Sequence, residues 1–359
     1  MNNRIRSVIT GTGSYIPTRK VTNDDFMDHR FLDREGNPME KDNEETIRKF
    51  AEITGIHERR YADDDMLTSD MGAEAAVKAL EDAGLDPEEL DYIVVAHNFG
   101  DVRADNPRVD MVPALASRVK HHLGISNPKC VAYDLPFGCP GWVQGIIQCH
   151  YFLRSGDAGA CLVIGAETLS RVCDPHDRDS MIYADGAGAA VLQARRSDDP
   201  AGILSHKART DTEEQAYFLK MAESYGSGCG ETIYMKMDGR KLYQYALTHV
   251  PGLVKESLDE AGVDFGEVSK VLIHQANAKM DAAILQRLGK LYGEDQVPDD
   301  LMPMTISWLG NSSVATVPTL LDLIRRGEME GHRIEEGDHI VLASVGAGMN
   351  INSVVYRVP

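Results

Sequence analysis

Three side chains with complementary chemistry stand out in the sequence: the thiol of Cys139, the imidazole of His274 and the carboxamide of Asn311. A thiolate is a nucleophile that can hold an acyl group as a thioester. N–H donors from a neutral imidazole and an amide can stabilise the negative oxygen of an enolate. The combination suits a reaction in which a malonyl thioester loses CO2 and the resulting carbanion attacks an acyl group held on sulfur.

Cys139 lies in the segment VAYDLPFGCPGWVQGIIQ, between an apolar strand and an apolar helix. Because Pro140 favours the first position of a helix, the pattern predicts that Cys139 caps the helix N-terminus. The partial positive charge there would favour thiolate over thiol. The alternative is a small packed side chain, which is the usual state of a buried cysteine. The other cysteines form no C-x-x-C pair and predict no zinc site; they are Cys130, Cys149, Cys161, Cys173 and Cys229.

His274 and Asn311 both follow predicted elements of an α/β fold. The run Lys270–His274 predicts a strand with His274 at its carboxyl end, where ligands bind in open α/β sheets. Asn311 follows Gly310 at the entry to a predicted helix over Val314–Ile324. The alternatives are a histidine that is hydrogen-bonded in the core and an asparagine that acts as a helix N-cap. A glycine-rich turn in SVGAGMN and the Cys139 amide offer a second oxyanion site.

The composition excludes some classes of function. The chain has 359 residues, of which 43% are apolar, and a net charge of −19. An acidic chain is a poor partner for nucleic acid, whose phosphates need a basic face. The N-terminus shows no apolar signal-peptide region, and no apolar run approaches the ~20 residues of a membrane helix. We therefore expect a cytoplasmic protein with no nucleic-acid or membrane partner.

Strand and helix patterns alternate along the chain, which predicts an α/β fold. The segments ALEDAGLDPEELDYIVVAH and SLDEAGVDFGEVSKVLIHQ match in order, and each ends in a strand followed by a histidine, His97 and His274. We interpret this as an internal duplication, with halves 1–195 and 196–359; coincidence between two helix–loop–strand units is the alternative. Predicted strands include 5–11, 92–96, 129–134, 161–166, 188–193, 202–207, 270–274, 339–344 and 351–357. Predicted helices include 71–83, 113–123, 241–261 and 278–288. Polar insertions are predicted at 30–45, 98–110 and 208–232.

The motifs FGCPGW, IHQAN and GNSSVATVP resemble the β-ketoacyl-acyl-carrier-protein synthase III family, as do CDPHDRDSMIYADGAGAAVL and GIHERRYA. The resemblance spans nearly the whole chain in the same order. It implies a thiolase fold with two duplicated halves in five αβαβα layers, and a homodimer. It also implies an acyltransferase with no bound cofactor or metal. An acyl group would move from a carrier-protein or CoA thioester to Cys139 and then condense with a malonyl or β-ketoacyl thioester.

The resemblance also assigns roles to single residues. Cys139 takes the acyl group, and His274 and Asn311 assist decarboxylation. Asn277 and Gly239 match positions that line the pantetheine arm, and Arg178 matches an arginine at the tunnel mouth. Lys279 and Arg287 fall on the helix that faces the acidic acyl carrier protein.

The sequence departs from the family pattern in places. Lys49 replaces a tryptophan that stacks on the CoA adenine, and Ile53 replaces a phosphate-binding arginine, which favours a carrier-protein donor. Ala347 replaces the middle glycine of the last turn, where its amide would complete the oxyanion hole with that of Cys139. The insertions 30–45 and 98–110 indicate a specialised member. Open alternatives are an enzyme that joins two acyl units into a cyclohexanedione or alkylresorcinol precursor, a non-decarboxylating acyltransferase, and an inactive partner subunit.

Overall fold

The computed structural model describes residues 4–228 and 230–359, so Cys229 lies outside the described residues. The strands are β1 (Arg4–Tyr15), β2 (Arg19–Thr22), β3 (Glu58–Tyr61), β4 (Tyr92–His97), β5 (Asp101–Arg103), β6 (Asn106–Asp110), β7 (Val131–Pro136), β8 (Ala160–Thr168), β9 (Asp185–Ser197), β10 (Gly202–Thr210), β11 (Leu219–Glu223), β12 (Ile233–Met237), β13 (Val268–Ile273), β14 (His339–Gly346) and β15 (Asn350–Arg357). The α-helices are α1 (Asn43–Thr54), α2 (Thr68–Ala83), α3 (Leu115–His122), α4 (Gly141–Ser155), α5 (Gly239–Ala261), α6 (Ala278–Lys290), α7 (Ile306–Leu309) and α8 (Thr316–Arg325).

Two central sheets follow one plan. The first has the strand order β1-β9-β8-β4-β7 and the second has the order β10-β15-β14-β13. In the first sheet, β4 is parallel to both β8 and β7, and in the second sheet β13 is parallel to β14. The following strand is antiparallel in each sheet, β9 beside β8 and β15 beside β14. The second sheet thus repeats four strands of the first in the same order, and β7 has no counterpart in it. This repeat agrees with the predicted duplication, while the boundary between residues 195 and 196 stays a prediction.

Helices separate and cover the sheets to give five αβαβα layers. α2 and α3 pack on the outer face of the first sheet, and α5 and α6 pack on the outer face of the second. Between the sheets lie α4 and α8, whose side chains Trp142, Ile146 and Leu320 belong to the central core. Both helices are apolar on most of their surface because both sheets pack against them.

The first sheet is buried on both faces at its centre. All nine residues of β8 (ACLVIGAET) are buried, which agrees with the continuous apolar run expected of a strand covered on both sides. β1 continues to Tyr15 although the sequence predicted its end near Gly11. A Cβ on Gly11 would lie 2.2 Å from the Ala79 carbonyl oxygen, and one on Gly13 would lie 2.3 Å from that of Ala75. These glycines therefore admit α2 against the strand and do not form a turn.

One of the three predicted polar insertions contains a β-hairpin, and a second supplies one strand of another. β5 and β6 form one inside 98–110, and Arg118 holds it through ion pairs of 2.7 Å to both Asp101 and Asp110. β11, inside 208–232, pairs with β12 directly after it, and Lys236 on β12 forms an ion pair with Asp174. Residues 30–45 form turns that lead into α1. Within the described ranges, no helix has the length and apolarity needed to cross a membrane.

Candidate active site

β7 delivers Cys139 to the start of α4. Gly138 has a φ of +77°, which a glycine adopts without strain, and Pro140 occupies the N-cap position directly before Gly141. The prediction that Cys139 itself caps the helix is therefore wrong by one residue. The thiol nevertheless lies immediately before the N-terminus of a buried helix.

Cys139, His274 and Asn311 line one narrow cavity of about 30 Å³. That volume corresponds to a single water molecule, so the cavity is nearly closed. Apolar side chains from several elements form most of the remaining wall: Leu169, Tyr183, Leu219, Met235, Met237, Leu242, Ala276, Met280 and Val345. Cys139 and His274 are 135 positions apart in the sequence. The structure nevertheless brings them together with Asn311 in one cavity, as their complementary chemistry predicted.

Burial raises the pKa of the Cys139 thiol to about 11. Hydrogen bonds from the Ser313 side chain and from the backbone N–H groups of Cys139 and Ala347 act in the opposite direction without offsetting it. The resting group is a thiol at neutral pH, so the predicted resting thiolate is wrong. The physical reason is that desolvation of the charged form outweighs the favourable field of the helix N-terminus.

The same two backbone N–H groups form a candidate oxyanion hole. Close approach is possible because Gly138 and Gly346 have no side chain: a Cβ on Gly138 would lie 3.0 Å from the Ala347 nitrogen. The Asn350 Nδ2 group donates to the carbonyl oxygens of Ala347 (2.8 Å) and Phe137 (3.3 Å). This amide therefore holds the Ala347 turn against the segment that precedes Cys139.

His274 follows β13 directly and is neutral. Its backbone N–H donates to the Ala343 carbonyl oxygen at 2.9 Å, which extends the β13–β14 ladder by one bond. Burial lowers the pKa of the imidazole to about 4, against a small opposite effect of the Ser313 backbone. The buried Nδ1 atom has no hydrogen-bond partner in the described part of the chain. The predicted neutral imidazole agrees with this environment.

Asn311 is fixed at both its backbone and its side chain. Its N–H donates to the Ile182 carbonyl oxygen (3.0 Å), and its carbonyl oxygen accepts from the Ala184 N–H (2.8 Å). The side-chain Oδ1 atom accepts from the Ser313 N–H at 2.8 Å. The NH2 end of the carboxamide is therefore the donor that remains for an occupant of the cavity.

Comparison with known proteins identifies the family. Residues 133–212 match the family described as 3-oxoacyl-(acyl-carrier-protein) synthase III, and residues 258–358 match its C-terminal domain. The β-ketoacyl-(acyl-carrier-protein) synthase III of Cereibacter sphaeroides is 33% identical over 358 residues, covering 98% of this chain and 99% of that protein. The chain belongs to the ketosynthase III family.

Solved structures agree with this assignment. The 3-oxoacyl-(acyl carrier protein) synthase III of Pseudomonas aeruginosa superposes with a TM-score of 0.81 at 27% identity, over 99% of this chain and 98% of that one. A priming β-ketosynthase of a polyketide pathway has a TM-score of 0.81 at 28% identity, over 99% and 97%. The predicted thiolase fold and the predicted ketosynthase III-like acyltransferase class are confirmed.

Two residues that position this ketosynthase site were missed in the sequence. Gln275, fully buried after His274, donates to the Pro303 carbonyl oxygen (2.8 Å) and accepts from the N–H groups of Thr305 (2.8 Å) and Ile306 (3.0 Å). It thereby ties the end of β13 to the segment that leads to Asn311. The sequence did contain a signal for Gln275, because a polar residue between an apolar strand and a helix N-cap needs buried hydrogen-bond partners.

Arg59 is the second residue that positions the site and was missed in the sequence. Its guanidinium is buried behind Gly310 and donates to the carbonyl oxygens of Met181 (3.0 Å) and Val21 (3.2 Å) and to Asn23 Oδ1 (2.7 Å). A Cβ on Gly310 would lie 2.7 Å from the Arg59 Cβ. Arg59 therefore forms the wall against which the Asn311 segment packs.

The residues predicted for pantetheine binding lie outside the lining of the cavity. Asn277 is the N-cap of α6, where its side chain accepts from the Met280 N–H at 3.1 Å. Gly239 is the first residue of α5, and Arg178 is the exposed first residue of a 3-10 turn that is otherwise mostly buried. Met280 and Met237, which are close to them in sequence, do line the cavity. The roles of Asn277, Gly239 and Arg178 in pantetheine binding stay predictions.

The residues predicted for carrier recognition lie on α6, and the two positions that depart from the CoA-contacting residues of the family lie on α1. Lys279 is exposed, and Arg287 donates to the Leu247 carbonyl oxygen at 2.8 Å. Lys49 forms a 2.9 Å ion pair with Glu45 on its own helix, and Ile53 is exposed. In the described residues, no three His, Cys, Asp or Glu side chains group as a metal site would require.

Proposed function

We propose that this ketosynthase carries out a two-step condensation on Cys139. An acyl group first passes from a carrier thioester to the thiol, and a malonyl or β-ketoacyl thioester then loses CO2 and attacks the bound acyl group. The observation that carries the proposal is the shared cavity of Cys139, His274 and Asn311. A scaffold subunit would have no use for a nucleophile facing two oriented N–H donors.

In the first step, the Cys139 sulfur attacks the carbonyl carbon of the acyl thioester. Negative charge develops on the carbonyl oxygen, and the N–H groups of Cys139 and Ala347 provide donors beside the sulfur. The carrier sulfur leaves and takes up the proton that the Cys139 thiol gives up, and the acyl group stays on Cys139. Such aimed donors stabilise the transition state because they need no reorganisation during the reaction.

In the second step, loss of CO2 from the malonyl group places negative charge on its thioester oxygen. The neutral His274 imidazole and the Asn311 NH2 group are the donors for this enolate. Their burial excludes water and strengthens both hydrogen bonds. The enolate carbon then attacks the acyl group, and the Cys139 thiolate is expelled.

The proposed partners are acyl thioesters and the acyl carrier protein that bears them. Lys279, beside the cavity residue Met280 on α6, and Arg287 offer a local basic face on a chain with a net charge of −19. Asn277, Gly239 and Arg178 are proposed to contact the pantetheine arm. The three methionines in the cavity wall are flexible, so the site can widen for an acyl chain. Each step uses only protein groups and the thioester.

We infer a homodimer from the open edge of the first sheet. β7 is the edge strand, and Val131 on it is exposed. The β5–β6 hairpin is held by Arg118 of α3, which packs on β7. The hairpin and its continuation expose Val109, Met111 and Val112, the last of them by 86%. An exposed edge strand beside apolar side chains favours pairing with a second chain. Sedimentation equilibrium should give twice the chain mass, and Val131→Lys should shift it towards the monomer.

Release of CO2 tests the proposal against a non-decarboxylating acyltransferase. The protein is first loaded with an acyl group and then mixed with a malonyl thioester labelled in its free carboxyl group. The proposal expects labelled CO2 and a β-ketoacyl product in equal amounts. Acyl transfer to the second thioester without CO2 would reject the condensation and support the simpler acyltransferase.

A further inference from the structure

A buried carboxyl group lies beside the nucleophile and is not used by the two steps above. Glu167, at the end of β8, has only 1% of its surface exposed. Its Oε1 atom accepts from the backbone N–H of Asn98 at 2.9 Å and from the Asn98 side chain. Among the described residues, no lysine, arginine or histidine forms an ion pair with it, although a buried carboxylate is costly without one.

Ser313 connects this carboxyl group to the thiol. The Asn98 side chain donates to Glu167 Oε1, and Asn98, Ser313 and Cys139 line the same cavity. Hydrogen bonding from the Ser313 side chain lowers the pKa of both Glu167 and Cys139, against the larger effect of burial. The Asn98 Nδ2 group donates to the Ser313 Oγ atom at 3.0 Å, which leaves the hydroxyl proton free to be donated onward. Ser313 has a φ of +52°, and the Asn311 Oδ1 atom holds its N–H at 2.8 Å. Strained residues of this kind persist where the surroundings fix them and cluster at functional sites.

Two other titratable groups face Glu167 from the elements around it. Cys139 lies before α4, and Asp185 on β9 acts on Glu167 by charge repulsion. Asp185 has its own donors, the side chain and N–H of Ser170 and the N–H of Ala62. Burial is the main cause that raises the pKa of Glu167, to about 8. Because Cys139 and Glu167 repel each other as anions, they favour states in which the pair retains one proton.

We propose that Glu167, acting through the Ser313 hydroxyl, takes the proton from Cys139 and returns it to the leaving carrier thiolate during acyl transfer. This inference rests on the proposed function. The S–H bond of Cys139 breaks as the proton moves to Ser313 Oγ, and the original Ser313 proton moves to Glu167. After the acyl group has moved, the two transfers run in reverse towards the sulfur of the carrier. The products are the acyl enzyme and a neutral carrier thiol, with no proton gained or lost.

Two simpler roles for Glu167 predict different results. A purely structural role would mean that its loss misplaces Cys139 for every reagent. A purely electrostatic role would mean that its loss removes a repelling charge and makes the thiolate easier to form. If Glu167 acts in a proton relay, its loss should slow only a reaction whose leaving group needs a proton. Alkylation of the thiol by iodoacetamide expels iodide, which needs none.

The experiment compares these two reactions on the full-length protein. Single-turnover loading of Cys139 is followed by rapid quench and intact mass, with octanoyl-CoA and octanoyl-acyl carrier protein as donors. Alkylation by iodoacetamide is followed by the same method. For Glu167→Gln we expect loading near pH 8 to fall about 100-fold, the lower end of the range for general acid–base catalysis, while alkylation does not slow. Ser313→Ala should behave in the same way, and Glu167→Asp should retain part of the loading rate.

The pH profile adds a second readout. Wild-type loading should rise through about pH 8 as Glu167 ionises, and this rise should be absent from Glu167→Gln. Asp185→Asn serves as the matched control, since it removes a neighbouring buried carboxylate that has no link to the thiol. Loss of its repelling charge should move the rise to lower pH, and above the rise it should leave the ratio of loading to alkylation unchanged.

Equal losses of loading and alkylation in Glu167→Gln and Ser313→Ala would overturn the relay in favour of a structural role. A rise in both rates would overturn it in favour of simple repulsion. A wild-type protein that is alkylated but takes an acyl group from neither donor would reject acyl transfer itself, and the relay with it. Circular dichroism establishes that each variant is folded, and either variant alone is sufficient for the test.

Discussion

A Cβ atom placed on Gly346 would lie 2.7 Å from the Cβ of Cys139 and 2.7 Å from its backbone nitrogen. The end of β14 and the nucleophile are thus packed at backbone contact, which brings the Ala347 amide to the sulfur. We expect Gly346→Ala to displace one of the two turns. Because a misplacement of about 1 Å can cost about 100-fold in rate, loading of Cys139 should fall by that order in single-turnover assays.

Gly252→Ala is the matched control for that substitution. Gly252 lies within α5, and an added Cβ there meets no atom within 4 Å. Alanine is also the better helix former, so this variant should be fully active and slightly more stable. Equal activity of the Gly346 and Gly252 variants would show that the close approach does not matter for catalysis.

Removal of the two enolate donors should separate the half-reactions. His274→Ala and Asn311→Ala keep Cys139 and the amides beside it, so acyl loading should change little. Decarboxylation should fall by about 10²- to 10³-fold for each, the usual effect of losing one aimed donor. Labelled CO2 measures the second step and intact mass measures the first. Loss of loading in parallel with decarboxylation would contradict the division of labour.

Acid should destabilise the folded protein through its buried imidazoles. Burial lowers the pKa of both His274 and His150 to about 4, whereas an unfolded histidine titrates near 6.5. Between these values the unfolded chain binds protons that the folded protein does not. This contribution to stability is therefore fully present above pH 6.5 and is lost as the pH falls towards 4.

Urea unfolding at a series of pH values measures this effect. The free energy of unfolding should fall as the pH is lowered from 6.5 to 4, and the slope should be smaller in His150→Asn. His150 is the better site for the substitution, because it lies on α4 away from the cavity and contacts Ser7. An unchanged slope in that variant would show that His150 titrates normally in the folded state.

The parts of the site that depend on local pattern were predictable from the sequence. Cys139 was identified from a strand, a turn and a Pro-Gly helix start, and His274 and Asn311 from their places at element ends. The family motifs strengthened all three. The resemblance also gave the fold, because it covers the chain in order.

The parts that depend on packing between distant segments were not predictable. Ser313 and Asn98 are 215 positions apart, so their hydrogen bond had no local signature. The pKa of Cys139 was predicted in the wrong direction because desolvation depends on the tertiary surroundings. Glu167 did leave a signal, since it is a lone acid at the end of an otherwise uncharged buried strand.

Charge reversal on α6 should weaken use of the acyl carrier protein specifically. Lys279→Glu and Arg287→Glu place negative charge where an acidic carrier is proposed to dock. The KM for an acyl-carrier-protein donor should rise several-fold, while kcat and the KM for an acyl-pantetheine donor change little. The effect should shrink as salt is added, because salt screens exposed charges.

Arg333→Glu is the control for this charge reversal. Arg333 is exposed on the segment before β14, at the end of the second sheet opposite His274. It should leave the KM for the carrier protein unchanged. If all three variants raise this KM equally, long-range charge and not a docking face governs carrier binding.

The intact mass of the protein after exposure to a panel of acyl thioesters tests the central claim most directly. The account predicts a gain equal to one acyl group, located on Cys139 by peptide mapping and absent from Cys139→Ala. A malonyl thioester should then remove the added mass and release one CO2 for each acyl group. An acyl group found on another residue, or retained in Cys139→Ala, would contradict the account.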